Sequence, residues 1–209
     1  MPRITDYGRK DDNPQAVMSI SRVCVYCGSA GAVGERYRDA ARELGSALAQ
    51  AGIDVVFGGG RIGLMGLVAD AALDAGGRVV GIIPGALRDA ELAHPGLTEL
   101  VITGSMHERK RVMAERSDAF AVLPGGIGTL DEMFEIVTWR QLGLHDKPVF
   151  LVDIDGYWQP LRALLDHLVA HRFAAPLVPR LLEVVPGVPE LLGALQQVRS
   201  GGGFRADLP

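Results

Sequence analysis

The sequence predicts an α/β fold: a single doubly wound, mostly parallel sheet of about seven strands with helices on both faces, Rossmann-like in character. Three observations point to it. Short apolar runs alternate with longer helix-like segments along most of the chain, the mark of successive βαβ units. Several short runs are continuously apolar, as strands covered on both faces are. Three of them lead into Gly-rich stretches, where a strand must turn into a helix. With 209 residues, 48% hydrophobic and 22% charged, the chain suits one well-buried domain,.

Residues 1–19 are polar and charged without an apolar core, so they read as a loosely ordered tail, neither a signal peptide nor a membrane anchor. The domain is expected over 20–199. Its first strand, 22–27, is the run Arg-Val-Cys-Val-Tyr-Cys, and a helix over 35–51 follows. Strand 53–57 precedes a helix over 64–75, and strand 78–83 is the third apolar run. Strand 97–103 precedes a helix over 106–117. Strand 118–123 leads into a helix over 129–143, where Leu130, Met133, Phe134 and Val137 share one face,. Strand 148–152, a helix over 157–171, strand 181–185 and a helix over 189–198 complete the pattern, and 200–209 is a flexible tail. No internal repeat or interdomain linker interrupts it.

The net charge of −4 provides no global basic field, which argues against nucleic acid as the main partner. No apolar run approaches transmembrane length, so no membrane partner is expected and the cytoplasm is the expected compartment. The two cysteines form Cys24-Val25-Tyr26-Cys27. Residues three apart on a strand point to opposite faces, so they read as two small buried thiols rather than a redox pair. His167 and His171 lie four apart on an expected helix, but without a third ligand they read as a solvated face.

The most informative stretch is Pro124-Gly125-Gly126-Ile127-Gly128-Thr129-Leu130-Asp131-Glu132. A Gly-rich turn from strand to helix leaves backbone N–H groups at the positive end of the helix dipole, where phosphate binds. The carboxylate at Glu132 suggests something cationic, or becoming cationic, beside that phosphate. The same residues fit a capping box, Thr129-x-x-Glu132, in which Glu132 serves only the helix start. Two more Gly-rich turns are expected on the same sheet edge: Cys27-Gly28-Ser29-Ala30-Gly31, and Gly58-Gly59-Gly60-Arg61-Ile62-Gly63-Leu64-Met65-Gly66. The latter matches G-x-G-x-x-G through Gly58, Gly60 and Gly63, but it follows the second strand and lacks the ribose-binding acid that a dinucleotide site requires. Met106-His107-Glu108-Arg109-Lys110-Arg111 places three cations near a helix start, where the dipole disfavours them. They form either a solvated basic face or a face toward an anion.

Together these residues resemble the Lonely Guy family of cytokinin riboside 5′-monophosphate phosphoribohydrolases. The resemblance spans about 23–185 and rests on Gly58-Gly59-Gly60 with Gly63-Leu64-Met65-Gly66, on Met106 with Arg109-Lys110, and on Pro124-Gly125-Gly126-x-Gly128-Thr129-x-x-Glu132. Thr138-Trp139-x-Gln141-Leu142-Gly143 and Lys147-Pro148-Val149 extend it. It implies hydrolysis of the N-glycosidic bond of adenine-type nucleoside 5′-monophosphates to base and ribose 5-phosphate, with no cofactor and no metal. Arg109 and Glu132 match the family's catalytic pair. Lys110, Gly126 to Thr129 (through Ile127 and Gly128) and Thr138 match its nucleotide-binding positions. Glu91 matches a further nucleotide-contacting glutamate. Ser29, Gly59, Gly60 and Gly125, from the Gly-rich loops, are further candidates for binding substrate. Family members have also been labelled lysine decarboxylases, but three lysines, Lys10, Lys110 and Lys147, and no evident pyridoxal-phosphate site speak against that label here. The resemblance implies a homodimer, packed through the helix carrying Met113 and the helix running from Thr129 past Trp139. The alternatives are a non-catalytic carrier of the molybdenum-cofactor type, which shares the Pro-Gly-Gly-x-Gly-Thr loop, and a single-strand DNA-binding module.

Overall fold

The computed structural model describes residues 20–89 and 92–199; the two expected tails and Glu91 lie outside the described residues. Seven strands form one all-parallel sheet: β1 (Arg22–Tyr26), β2 (Asp54–Phe57), β3 (Val79–Pro84), β4 (Glu99–Thr103), β5 (Ala119–Val122), β6 (Val149–Val152) and β7 (Glu183–Val185). The helices are α1 (Glu35–Gln50), α2 (Leu64–Asp74), α3 (Gly85–Asp89), α4 (Met106–Glu115), α5 (Ile127–Gln141), α6 (Gln159–Ala170) and α7 (Val188–Arg199).

The spatial order is β4-β3-β2-β1-β5-β6-β7. The chain builds outward from β1 to β4, then returns to start the other half beside β1. Val23 of β1 therefore pairs with Val55 on one side and Ala119 on the other. The strand order reverses between β1 and β5, and in open parallel sheets the crevice at such a point is where ligands bind.

Alternate strand residues feed two cores. Val23, Val25, Phe57, Ala121 and Val152 face α1, α2 and α7. Cys24, Tyr26, Phe120, Val122 and Leu151 face α4, α5 and α6. Burial on both faces is why these strands read as unbroken apolar runs. Cys24 and Cys27 are buried in opposite cores as free thiols.

Several boundaries depart from expectation. The helix expected from 129 begins at Ile127, with Gly126 as its N-cap and no side-chain cap. Thr129 is therefore an internal, buried residue, and the Thr129–Glu132 capping box is not formed. The box-like start lies on α4 instead: the Ser105 hydroxyl accepts from the Glu108 N–H, and the Glu108 carboxylate accepts from the Gly104 N–H. The helix expected from 157 starts at Gln159, because a short 3-10 turn at Ile154–Gly156 precedes it with Asp155 in the left-handed region (φ 52°). The strand expected from 97 starts at Glu99, where the Thr98 hydroxyl takes the Val79 N–H. The five-residue α3 follows Pro84 directly and carries no sequence pattern long enough to announce it.

Candidate active site

A cavity of about 570 Å³ opens at the carboxyl ends of β1, β2 and β5. The three Gly-rich turns converge there. Gly28 ties them together: its N–H donates to Pro124 O (3.1 Å) and its carbonyl accepts from Leu64 N–H (2.9 Å). Gly63 can make this approach because it holds φ 67°, and a Cβ there would lie 2.4 Å from the Ser29 carbonyl carbon. Both the conformation and the space call for glycine.

One wall is the start of α5. Gly126 O accepts from Leu130 N–H, so the N–H groups of Ile127, Gly128 and Thr129 precede the first helical bond. The first turn carries no acidic residue, and Gly126, Ile127 and Gly128 are exposed. A helix start of this kind, open and unopposed by carboxylates, is suited to an anion such as phosphate. Gly125 packs against Thr129; a Cβ on Gly125 would fall 2.1 Å from the Thr129 hydroxyl.

The cavity floor holds an ion pair. Arg109 Nη2 lies 3.1 Å from Glu132 Oε1, with the side chains only 10% and 11% exposed. Arg109 Nε also donates to Ile82 O at 3.1 Å. Burial drives the Glu132 carboxyl up to about 7 despite the opposing attraction of Arg109; Asp131 adds to the rise, Lys110 counters it and Glu135 adds again. A carboxyl in this range exchanges a proton near neutral pH. Cys27 also lines the cavity, but burial and the nearby Glu132 raise its thiol well above the usual range, so it is held neutral.

The cations of α4 do not share one anion. Arg111 pairs with Glu115, and Lys110 pairs with Asp131 (3.1 Å) and Glu135 (3.2 Å). Burial disfavours the Lys110 ammonium, but the hydrogen bonds to these two carboxylates outweigh it and hold its pKa above the usual lysine value. Arg109 alone of the three lines the cavity.

A family model described as possible lysine decarboxylase matches residues 65–195. The chain is 48% identical over 176 residues to a probable cytokinin riboside 5′-monophosphate phosphoribohydrolase of Oryza sativa subsp. japonica, LOGL9, covering 84% of this chain and 78% of that protein. It is 46% identical over 176 residues to the cytokinin riboside 5′-monophosphate phosphoribohydrolase LOG3 of Arabidopsis thaliana, covering 84% and 82%. The chain belongs to this phosphoribohydrolase family. The molybdenum cofactor carrier protein of Chlamydomonas reinhardtii shares the fold, with a TM-score of 0.67 at 22% identity over 87% of this chain and 99% of that one.

Of the residues the sequence singles out, the structure gathers Ser29, Gly60, Arg109, Gly125, Gly126, Ile127, Gly128, Thr129 and Glu132 around the cavity. Gly59 is not in the lining; its positive φ of 74° turns the loop, and its carbonyl accepts from His94 N–H. Lys110 lies behind the lining, and Thr138 is exposed farther along α5, its hydroxyl bonded to Phe134 O. No lysine lines the cavity among the described residues, and Lys147 donates to Ala114 O. That is at odds with the lysine decarboxylase label carried by the family model.

Two residues emerge only in three dimensions. Gly58 was legible as a turn glycine, but its further role is to leave room for Arg109: a Cβ there would sit 1.7 Å from Nη2. Tyr157 lines the cavity from 25 residues beyond Glu132 and belongs to no motif.

Proposed function

We propose that this chain hydrolyses the N-glycosidic bond of adenine-type nucleoside 5′-monophosphates, AMP or N6-modified cytokinin riboside monophosphates, to free base and ribose 5-phosphate. One observation carries the reading: an open helix start suited to phosphate borders the same cavity as a buried Glu132–Arg109 pair. Cleaving C1′–N builds positive charge on the sugar. The Glu132 carboxylate stabilises that charge and accepts a proton from the attacking water as its oxygen bonds to C1′; the electron pair of the broken C1′–N bond leaves with the base, which takes a proton from solvent, and Glu132 returns its own proton to solvent. The N–H groups of Gly126, Gly128 and Thr129, with that of Ile127 between them, hold the 5′-phosphate, and that remote grip positions C1′ over Glu132. Arg109 opposes the rise that burial imposes on the Glu132 carboxyl and offers its guanidinium to the phosphate or to the leaving base.

We further propose a homodimer formed through the exposed faces of α4 and α5. Thr138 is nine residues past Thr129, about 14 Å along the helix, and lies outside the cavity of its own chain. A nucleotide contact by Thr138, as the resemblance implies, is therefore best made in a second copy. The two unpaired buried thiols suit a reducing cytoplasm,. No helix of the described residues is long and apolar enough to cross a membrane.

The test is incubation of the purified protein with AMP and with N6-isopentenyl AMP without added metal. Free base and ribose 5-phosphate in equal amounts are expected. Tight nucleotide binding without release would refute the hydrolase reading in favour of a carrier.

A further inference from the structure

Tyr157 reaches the phosphate loop from the turn that follows β6. Its hydroxyl donates to Gly125 O at 2.7 Å, the carbonyl just before the Gly126 N-cap of α5. A trans peptide is planar, with its C=O and N–H antiparallel, and no peptide in the chain is cis. Holding Gly125 O therefore fixes the direction of the Gly126 N–H. The Gly125–Gly126 peptide has no Cβ on either side, so sterics alone oppose its rotation only weakly. A tether does what side chains cannot.

The tether is well braced. The Tyr157 ring makes edge contacts with Tyr37 (5.5 Å between centroids) and Trp158 (4.8 Å). The Arg36 guanidinium lies 4.8 Å over the Tyr37 ring, donates to the Tyr37 hydroxyl at 3.0 Å and pairs with Asp155 at 2.9 Å. Asp155 and Gly156, the two residues before Tyr157, both have positive φ, 52° and 72°. A left-handed non-glycine residue is strained, and such strain persists where surrounding contacts over-determine it. Here Trp158 N–H donates to Asp153 Oδ1 and Tyr157 N–H to Ile154 O, closing the turn. Tyr157 is 37% exposed and its bond to Gly125 O lies at the surface, so water can take the place of the hydroxyl at that carbonyl when it is removed.

We propose that Tyr157 is a positioning residue that locks the Gly125–Gly126 peptide in its phosphate-receiving orientation. This rests on the phosphate reading of the α5 start. Tyr157 acts through the loop, and its contribution is specific to the phosphate-bearing part of the substrate.

The test compares wild type and Tyr157→Phe in binding AMP, ribose 5-phosphate and adenosine by calorimetry, alongside steady-state kinetics and thermal melting. Losing one neutral hydrogen bond should raise the KM for AMP and the Kd for ribose 5-phosphate about three- to tenfold. The change in kcat should be smaller, and adenosine binding and the melting temperature should be unchanged. An unaltered Kd for ribose 5-phosphate in the variant, where wild type prefers AMP to adenosine, overturns the role of Tyr157 alone. An equal loss for adenosine also overturns it. Wild type that binds AMP no better than adenosine overturns the phosphate reading and this inference with it.

Discussion

The guanidinium of Arg109 and the carboxylate of Glu132 meet at 3.1 Å on the cavity floor, both almost shut off from solvent. With no capping box at α5, Glu132 has no structural role at the helix start. Replacing Glu132 with Gln is expected to leave a folded protein that binds AMP and releases base slower by orders of magnitude. Near-wild-type turnover in that variant would falsify the catalytic role.

The raised pKa of Glu132 gives a pH dependence of definite sign. In the proposed mechanism Glu132 acts as the carboxylate, so kcat/KM should climb with pH through a single ionisation near 7 and level off above it,. Stability runs the other way. Because the folded pKa of about 7 lies above the ordinary 4.5, the folded state binds the extra proton between those values. The group's contribution is then fully present below pH 4.5 and lost by about pH 7, of order 3 kcal/mol. Denaturant melts of wild type and Glu132→Gln at pH 5 and pH 8 check this. The variant should lose less stability between the two than wild type does.

Gly58→Ala separates fold from site. Its Cβ would overlap Arg109 Nη2, the movable end of a long side chain, so the backbone can stay while the guanidinium leaves Glu132. Activity is expected to fall by about as much as in Arg109→Ala, with little change in melting temperature. Gly63→Ala is the contrast: its Cβ would meet Ser29 backbone and its φ is positive, so that variant should lose stability outright.

Lys110→Met tests an indirect role. Lys110 holds Asp131 and Glu135, the carboxylates on either side of Glu132, and its charge pulls the Glu132 pKa down. Without it, the acidic limb of kcat/KM should move to higher pH. A profile superimposable on wild type would remove Lys110 from the electrostatics of the site.

Mixing Glu132→Gln with Thr138→Ala protein tests the dimer. If Thr138 completes the cavity of a second copy, a heterodimer contains one site with both residues intact, and the mixture should regain activity that neither variant has. No recovery after demonstrated subunit exchange would place Thr138 outside the site or within its own chain.

By itself the sequence determined the order of the strands and of every helix but the five-residue α3, because both faces of the parallel sheet are buried and each strand must therefore read as an apolar run. It also marked the three glycine turns, since backbone that approaches backbone or an anion closely excludes a Cβ. It left the role of Glu132 divided between cap and catalyst, because S/T-x-x-E is a local pattern that fits both. Only the tertiary structure removed the cap: the N-cap is Gly126, three residues earlier than the pattern places it, and Arg109, 23 residues upstream in the sequence, arrives beside the carboxylate across the crevice. The fit of Gly58 around Arg109 and the reach of Tyr157 to Gly125 were likewise invisible in the sequence. Each is a contact between segments brought together by the sheet's strand order, and such contacts leave no periodicity in the chain.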